Sequence, residues 1–246
     1  MIALHRQSQP YPRTGSALAS IDPLPGHLLR LPSVYPPRED TWLLAEVMNV
    51  VGLTAESTVL DLCTGTGALA VAAARSGALR VTAVDVSRLA VASAWLNARV
   101  RRLPISARRA NVLTLAPTGT FNVILANPPY VPCEVHRARG GRYSSRWDAG
   151  PDGRALLDPL CELIPTLLTP GGIVLLVQSA VCGVAPSTLM LQRRGLETSV
   201  VARRRIGFGP VMWSRVEFLE RSGLIEAGQR HEDLVVIRGR RPAHAN

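Results

Sequence analysis

From Thr58 onward, short apolar runs alternate with segments of helical periodicity, and this alternation restricts the fold more than any other feature. Thr58 to Leu62, Arg80 to Val84, Ile105 to Arg109 and Phe121 to Ala126 read as strands. Helices are expected over Ala68 to Ser76 and from a Ser87 cap to about Val100. A helix over about Gly153 to Leu168, broken by Pro170-Gly171-Gly172, leads into a fifth strand, Ile173 to Gln178. A helix near Pro186 to Arg194, a strand near Glu197 to Arg203 and a last strand at Leu234 to Arg238 complete the series. Strands joined through helices make parallel sheets with helices on both faces. The expected fold is α/β, a doubly wound and mostly parallel seven-stranded sheet with an antiparallel C-terminal strand.

Ahead of this series lies a helix over Glu39 to Val51. Leu43, Leu44, Val47 and Val51 form its apolar face, Glu39 and Asp40 favour its positive end, and Gly52 can close it. Residues 1–34 are rich in Pro, Ser and Gly and read as an irregular arm, with room for a short helix or strand at Gly26 to Leu31. Residues 35–246 then form a single domain. The stretch from Gly207 to Gln229 is ambiguous: two strands could make a hairpin, or Trp213 to Ser222 could be helical. Trp42 and Trp95 fall at helical positions and are most simply core residues.

Phe121 to Tyr130 reads Phe-Asn-Val-Ile-Leu-Ala-Asn-Pro-Pro-Tyr, a buried parallel strand that stops at a polar amide, two prolines and an aromatic ring. Such sheets present their sites at the carboxyl ends of strands. Asn127 precedes a proline, and so does Pro128, so both are held extended. Pro128 and Pro129 have no N–H, so the turn offers carbonyl acceptors without competing donors. Beside them stand one side-chain amide and a ring, Tyr130, able to stack on something flat. That set suits a planar NH2 group, whose delocalised lone pair makes it a poor nucleophile until both hydrogens are held and its attack aligned. Taken alone, the same residues could be no more than a proline turn.

Upstream, Asp61-Leu62-Cys63-Thr64-Gly65-Thr66-Gly67 occupies the first strand-to-helix turn, and Asp85 ends the second strand. Gly65 and Gly67 would let a ligand approach the backbone, and Asp85 is placed to accept hydrogen bonds from a ribose. The glycines also fit a degenerate dinucleotide fingerprint, which keeps NAD in competition. Asp61 argues against it: a carboxylate there repels a pyrophosphate but attracts the cationic amino and sulfonium groups of S-adenosylmethionine. With strand order 3-2-1-4-5, the turns at Gly65 and Asn127 face one crevice across neighbouring strands.

These residues together resemble the HemK/PrmC-type class I methyltransferases, which methylate a glutamine side-chain amide in the Gly-Gly-Gln motif of translation release factors and carry an Asn-Pro-Pro-Tyr signature. Val34 to Thr41 is similar to the segment opening the catalytic domain in the shorter archaeal and eukaryotic branch, and Gly150-Pro151-Asp152-Gly153-Arg154 resembles the stretch before its helix. The resemblance implies a Rossmann-like catalytic domain using S-adenosylmethionine. Thr41 would touch the methionine end of the cofactor, Asp61, Cys63, Gly65 and Gly67 would line its loop, Asp85 would hold the ribose, and Asn111 would lie near the adenine. Asn127, which would also border the cofactor, and the Pro128 carbonyl would accept hydrogen bonds from the substrate amide, with Pro129 shaping the turn and Tyr130 packing against the substrate. No metal is implied. Some members of the short branch pair the edge of their third strand with a small zinc-binding activator; here Ser106 to Ala110 carries Arg108 and Arg109 and reads as a guarded edge.

Net charge is +10, and all 28 basic residues are arginine. The excess is consistent with an acidic or nucleic-acid-bearing partner such as the ribosome, and equally with a basic solvated surface. The nearest alternative to a protein substrate is therefore the exocyclic amine of adenine in DNA or RNA, followed by a small-molecule acceptor and by a basic binding module without turnover. Against a nucleic acid, the arginine patches are not interleaved with stacking aromatics. A basic loop, Arg137, Arg139, Arg142 and Arg146, flanks the expected site, and His136 and His231 read as surface residues. Trp213 and Phe218 could line a substrate groove. Cys63, Cys133, Cys161 and Cys182 show no metal or redox spacing and read as reduced thiols. The longest apolar runs, Ala68 to Ala74 and Ile173 to Val177, are too short to cross a bilayer, and no signal core is seen, so a cytoplasmic protein is expected.

Overall fold

A computed structural model describes residues 27–114, 119–134 and 148–243. Among them, seven strands form one sheet: β1 (Thr58–Leu62), β2 (Arg80–Asp85), β3 (Ile105–Arg109), β4 (Phe121–Ala126), β5 (Leu168–Ser179), β6 (Glu197–Gly207) and β7 (His231–Arg240). Their order is β3-β2-β1-β4-β5-β7-β6, with β1 to β5 parallel and β7 antiparallel to both β5 and β6. The helices are α1 (Glu39–Val51), α2 (Ala68–Arg75), α3 (Arg88–Val100), α4 (Leu157–Leu167), α5 (Val184–Arg193), α6 (Pro210–Trp213) and α7 (Val216–Arg221). α1, α2 and α3 pack in series, and α4 packs on α5. β4 and β5 are buried on both sides, as the unbroken apolar runs Val123 to Ala126 and Ile173 to Val177 require.

Local chemistry sets several boundaries. The Ser87 hydroxyl accepts from the Ala90 N–H at 3.3 Å, starting α3 as expected. Gly52 ends α1 at φ +78° and donates its N–H to the Met48 carbonyl. His27 to Leu31 forms neither helix nor strand. It lies as a strap over α3, with the Leu29 N–H donating to Asn97 Oδ1 (2.9 Å) and the Leu31 N–H to Ser93 Oγ (3.1 Å).

Four expectations need correction. Pro170-Gly171-Gly172 does not separate α4 from β5: the helix ends at Leu167 and the strand starts at Leu168, passing through these residues. Its pairing with β4 slips between Phe121 and Val123, a local irregularity that tolerates proline and glycine in a strand. β6 and β7 run longer than the apolar pattern suggests, because β6 is an edge strand whose second half is the arginine run Arg203 to Arg205. Those arginines are tied to acids, Arg203 and Arg205 to Asp233 and Arg204 to Glu46 and Glu39. Trp42 and Trp95 are 44% and 52% exposed rather than core. α3 buries the small or polar residues Ala90, Ser93, Ala94, Asn97 and Ala98, which turns Trp95 outward, and Val51 faces solvent at the end of α1. The ambiguous stretch is helical, as α6 and α7, in line with the second reading of Trp213 to Ser222.

Candidate active site

β1 pairs in register with β4, Leu62 opposite Ala126, so Cys63 and Asn127 are the first residues beyond the sheet on adjacent strands. The glycine loop and the Asn-Pro-Pro-Tyr turn therefore begin side by side on neighbouring strands.

On the β1 side, Asp61 is fully buried. Its Oδ2 accepts from Thr64 Oγ1 (2.5 Å) and from the Ala70 N–H (3.1 Å), so it braces the loop against the first turn of α2. Its Oδ1 has no hydrogen-bond partner among the described residues. Burial pushes the Asp61 carboxyl up to about 7, against the pull of those two donors, with Asp85 adding repulsion. Asp85 links β2 to the loop: its Oδ2 accepts from the Gly65 N–H (3.0 Å) and its Oδ1 from the Ser87 N–H (2.9 Å). Burial raises its carboxyl as well. Burial also pushes the Cys63 thiol up, so it stays protonated. Gly65 sits at φ +54°, and a Cβ there would meet only the Tyr35 carbonyl, at 3.8 Å. Gly67 differs: at φ +80°, a Cβ would lie 2.9 Å from Cα and Cβ of Ala94. Its bareness serves the packing of α2 on α3 more than ligand approach. Asn111 lies exposed just after β3.

On the β4 side, Asn127 is half-buried and donates from Nδ2 to Thr41 Oγ1 at 3.3 Å. Among the described residues no group donates to Asn127 Oδ1 or to the Pro128 carbonyl. Tyr130 is only 9% exposed, and its hydroxyl donates to Asp40 Oδ2 at 3.0 Å. The ring is therefore a wall of the site more than a free stacking surface. Tyr35 donates to the same oxygen at 3.1 Å. Burial, with the Asp40 charge beside them, holds both phenols well above their usual range. Glu232, on β7, is buried nearby with Oε2 unpartnered among the described residues, and burial raises its carboxyl.

Behind the turn, the Cys182 thiol donates to the Tyr130 carbonyl at 2.9 Å. A Cβ on Gly153, at φ +77°, would strike that same carbonyl and lie 2.6 Å from the Cys182 sulfur. Arg154 spans to the carbonyls of Cys182 (2.7 Å) and Gly183 (3.0 Å). Gly150 to Arg154 is therefore the backing of the turn. Gly153→Ala is expected to destabilise the fold by about 2–4 kcal/mol, from left-handed strain plus overpacking, read as a lower denaturation midpoint.

Three contributors escaped the sequence reading. Asp40 seemed only a helix-dipole residue, yet it is buried and bonded to Tyr35, Thr41 and Tyr130. Its place four residues before Leu44, on the apolar stripe of α1, was the available signal. Arg215 is buried too: it pairs with Asp148 and donates to the carbonyls of Val131 (3.3 Å) and Pro132 (2.8 Å). It thereby fastens α6, α7 and their small core of Phe208, Met212, Leu219 and Ile225 onto the segment following Tyr130. Glu232 is the third. Phe218 lines a hollow of about 190 Å³ with Glu134 and Arg221, whereas Trp213 packs edge-on to Phe208 and under Arg230. His231 is exposed as expected, and His136 and the basic loop from Arg137 to Arg146 lie outside the described residues.

The strand order, the glycine loop after β1 and the acidic residue closing β2 define a class I methyltransferase fold. Residues 38–138 match the Methyltransferase small domain family. A Methanocaldococcus jannaschii protein named for protein N5-glutamine methyltransferase activity is 33% identical over 181 residues, covering 74% of this chain and 90% of its own. The release factor glutamine methyltransferase of Mycolicibacterium smegmatis is 33% identical over 147 residues, 57% of this chain and 52% of its own, so the match spans about half of that relative. Among solved structures, Mtq2 of E. cuniculi, in its complex with Trm112, shares the fold at a TM-score of 0.58 and 23% identity, covering 85% of this chain and 99% of that one. This chain belongs to the HemK/PrmC-type methyltransferase family.

No helix among the described residues is long and apolar enough to cross a membrane.

Proposed function

We propose that this chain transfers a methyl group from S-adenosylmethionine to the side-chain amide nitrogen of a glutamine in a translation release factor. One observation carries the reading: just past the strand next to the glycine loop, Asn127 Oδ1 and the Pro128 carbonyl accept from no donor among the described residues. The names of the relatives support the choice of acceptor. The residues fit the cofactor. Among the described residues Asp61 keeps a buried oxygen without a donor, as a cationic amino group would require, and the Asp85 oxygens have lone pairs left for ribose hydroxyls. Gly65 leaves the loop open, Gly67 sets its path, and Thr41, Cys63 and Asn111 complete the lining. When bound, S-adenosylmethionine supplies an electrophilic methyl group.

Asn127 and the Pro128 carbonyl would hold the two hydrogens of the glutamine NH2, turning the nitrogen toward that methyl. Pro129 keeps the turn extended without adding a donor, and Tyr130 closes its wall. As the nitrogen took the methyl group, whose bond to the sulfonium would break to leave a neutral thioether, positive charge would grow on the nitrogen and both acceptors would bind it more strongly than the ground state. The proton leaves afterwards to solvent, so no strong base is needed. Residues 35–246 act as the catalytic unit behind the arm 1–34, in the cytoplasm where release factors work. A nucleic-acid acceptor is less well supported, because the run Arg203 to Arg205 is already paired with Asp233, Glu46 and Glu39.

The test is transfer of labelled methyl groups from S-adenosylmethionine to a purified release factor and, in parallel, to ribosomal RNA and DNA. Label in the factor, lost when the glutamine of its Gly-Gly-Gln loop is replaced, is the expected result; label in nucleic acid alone overturns the reading.

A pH prediction follows from Asp61. Its folded value, about 7, lies above that of a free aspartate, so the native state keeps a proton that the unfolded chain releases near pH 4. This group therefore lowers stability as pH rises from about 4 to 7. Binding a cationic amino group needs the ionised form. Affinity for S-adenosylhomocysteine, measured by calorimetry, should fall about tenfold per pH unit below 7 and level off above it. Asp61→Asn should flatten that slope.

A further inference from the structure

We infer that Asp40 is a positioning residue that decides which end of the Asn127 amide faces the substrate. The inference rests on the reading of Asn127 as the substrate-facing acceptor. Asp40 lies in the first turn of α1, 4% exposed. Its Oδ1 accepts from the Thr41 N–H (2.6 Å) and from Thr41 Oγ1 (3.1 Å), and its Oδ2 accepts from the hydroxyls of Tyr35 (3.1 Å) and Tyr130 (3.0 Å).

A carboxylate only accepts, a hydroxyl has a single proton to give, and an amide has one donating and one accepting end. The Thr41 proton is committed to Asp40, so toward Asn127 the Thr41 oxygen can only accept. Asn127 must therefore turn its NH2 to Thr41, where it sits at 3.3 Å, and Oδ1 is left for the crevice. A flipped Asn127 would set two oxygens against each other with no proton between them and would offer the substrate NH2 a second donor in place of an acceptor. The polarity of a residue outside the crevice is thus passed through Thr41 to the reacting end of the turn.

Asp40 also grips the far end of the same turn through Tyr130. Both phenols remain protonated, since burial and the Asp40 charge raise them, so each keeps a proton to give to Asp40. The Asn-Pro-Pro-Tyr turn is held at its first and last residues by one carboxylate.

Asp40→Asn keeps the volume and removes the directionality. With its oxygen kept on the two phenols, its amide faces Thr41 with NH2 and gives up the Thr41 N–H bond; the Thr41 proton then swings to Asn127 Oδ1, presenting Nδ2 to the substrate. With a release-factor domain bearing the Gly-Gly-Gln loop as acceptor, at saturating cofactor, kcat is expected to fall about 10²-fold. KM should change little, and calorimetric affinity for S-adenosylhomocysteine should stay within about threefold. Thr41→Val should show the same kcat loss, Thr41→Ser should restore kcat to within about threefold of the parent, and the Asp40→Asn, Thr41→Val pair should lose no more than the worse single variant. A kcat within threefold of the parent for Asp40→Asn or Thr41→Val, or additive losses in the pair, overturns the inference. If Asp40→Asn fails to fold, the contrast between Thr41→Val and Thr41→Ser decides. If Asn127→Ala itself turns over normally, the reading of Asn127 has failed before Asp40 is reached.

Discussion

Replacement of Asn127 by alanine is expected to lower kcat by at least about 10²-fold while leaving affinity for S-adenosylhomocysteine within about twofold. The magnitude is that of removing one preorganised group aimed at developing charge. The split between the two readouts follows from position. Asn127 stands beyond the end of β4, and its one side-chain hydrogen bond among the described residues goes to Thr41, whereas the groups fitted to the cofactor, Asp61, Gly65 and Asp85, belong to the ends of β1 and β2. The substitution leaves the packing of Ile124, Leu125 and Ala126 untouched. Turnover is measured with a release factor as acceptor and binding by calorimetry. Loss of binding with retained turnover would overturn the assignment.

Arg215→Ala is expected to destabilise the chain by about 3–5 kcal/mol, visible as a shifted denaturation midpoint. The substitution removes a buried guanidinium together with its ion pair and the two carbonyl hydrogen bonds it makes, which is the costly case. Arg215 and Asp148 are 7% and 2% exposed at their side chains, and the same guanidinium serves the carbonyls of Val131 and Pro132. Arg203→Ala is the control. Its pair with Asp233 has a half-exposed arginine, Asp233 keeps Arg205, and the expected change is below about 1 kcal/mol. Equal effects for the two arginines would contradict this account of what holds α6 and α7.

The sheet was legible wherever an apolar run met a turn residue. β1, β3 and β4 begin and end where the residues indicate, because Thr64-Gly65, Pro104 and Asn127-Pro128 punctuate them. The positions of Asp61, Gly65, Asp85 and Asn127 at strand ends were legible for the same reason. Legibility failed where tertiary context outweighs local preference. Pro170 to Gly172 looks like a break but starts a strand, since a slipped register absorbs it. Trp95 looks like core but faces outward, since the buried stripe of α3 is filled by alanine, serine and asparagine. Asp40 and Arg215 were missed because a buried charge is recognised by its partners, and theirs lie as many as 90 and 84 residues away.

The register of β1 against β4 has a mechanical consequence. Neighbouring strands are held about 4.8 Å apart by their ladder of hydrogen bonds, a spacing that side-chain repacking barely alters. The glycine-loop turn and the Asn-Pro-Pro-Tyr turn are thus mounted on a ruler graduated by the peptide bond, and the gap between their first residues belongs to the backbone. Damage elsewhere in the core then acts like an on-off switch: it lowers the fraction of molecules carrying the ruler, while each intact molecule keeps its full working distance.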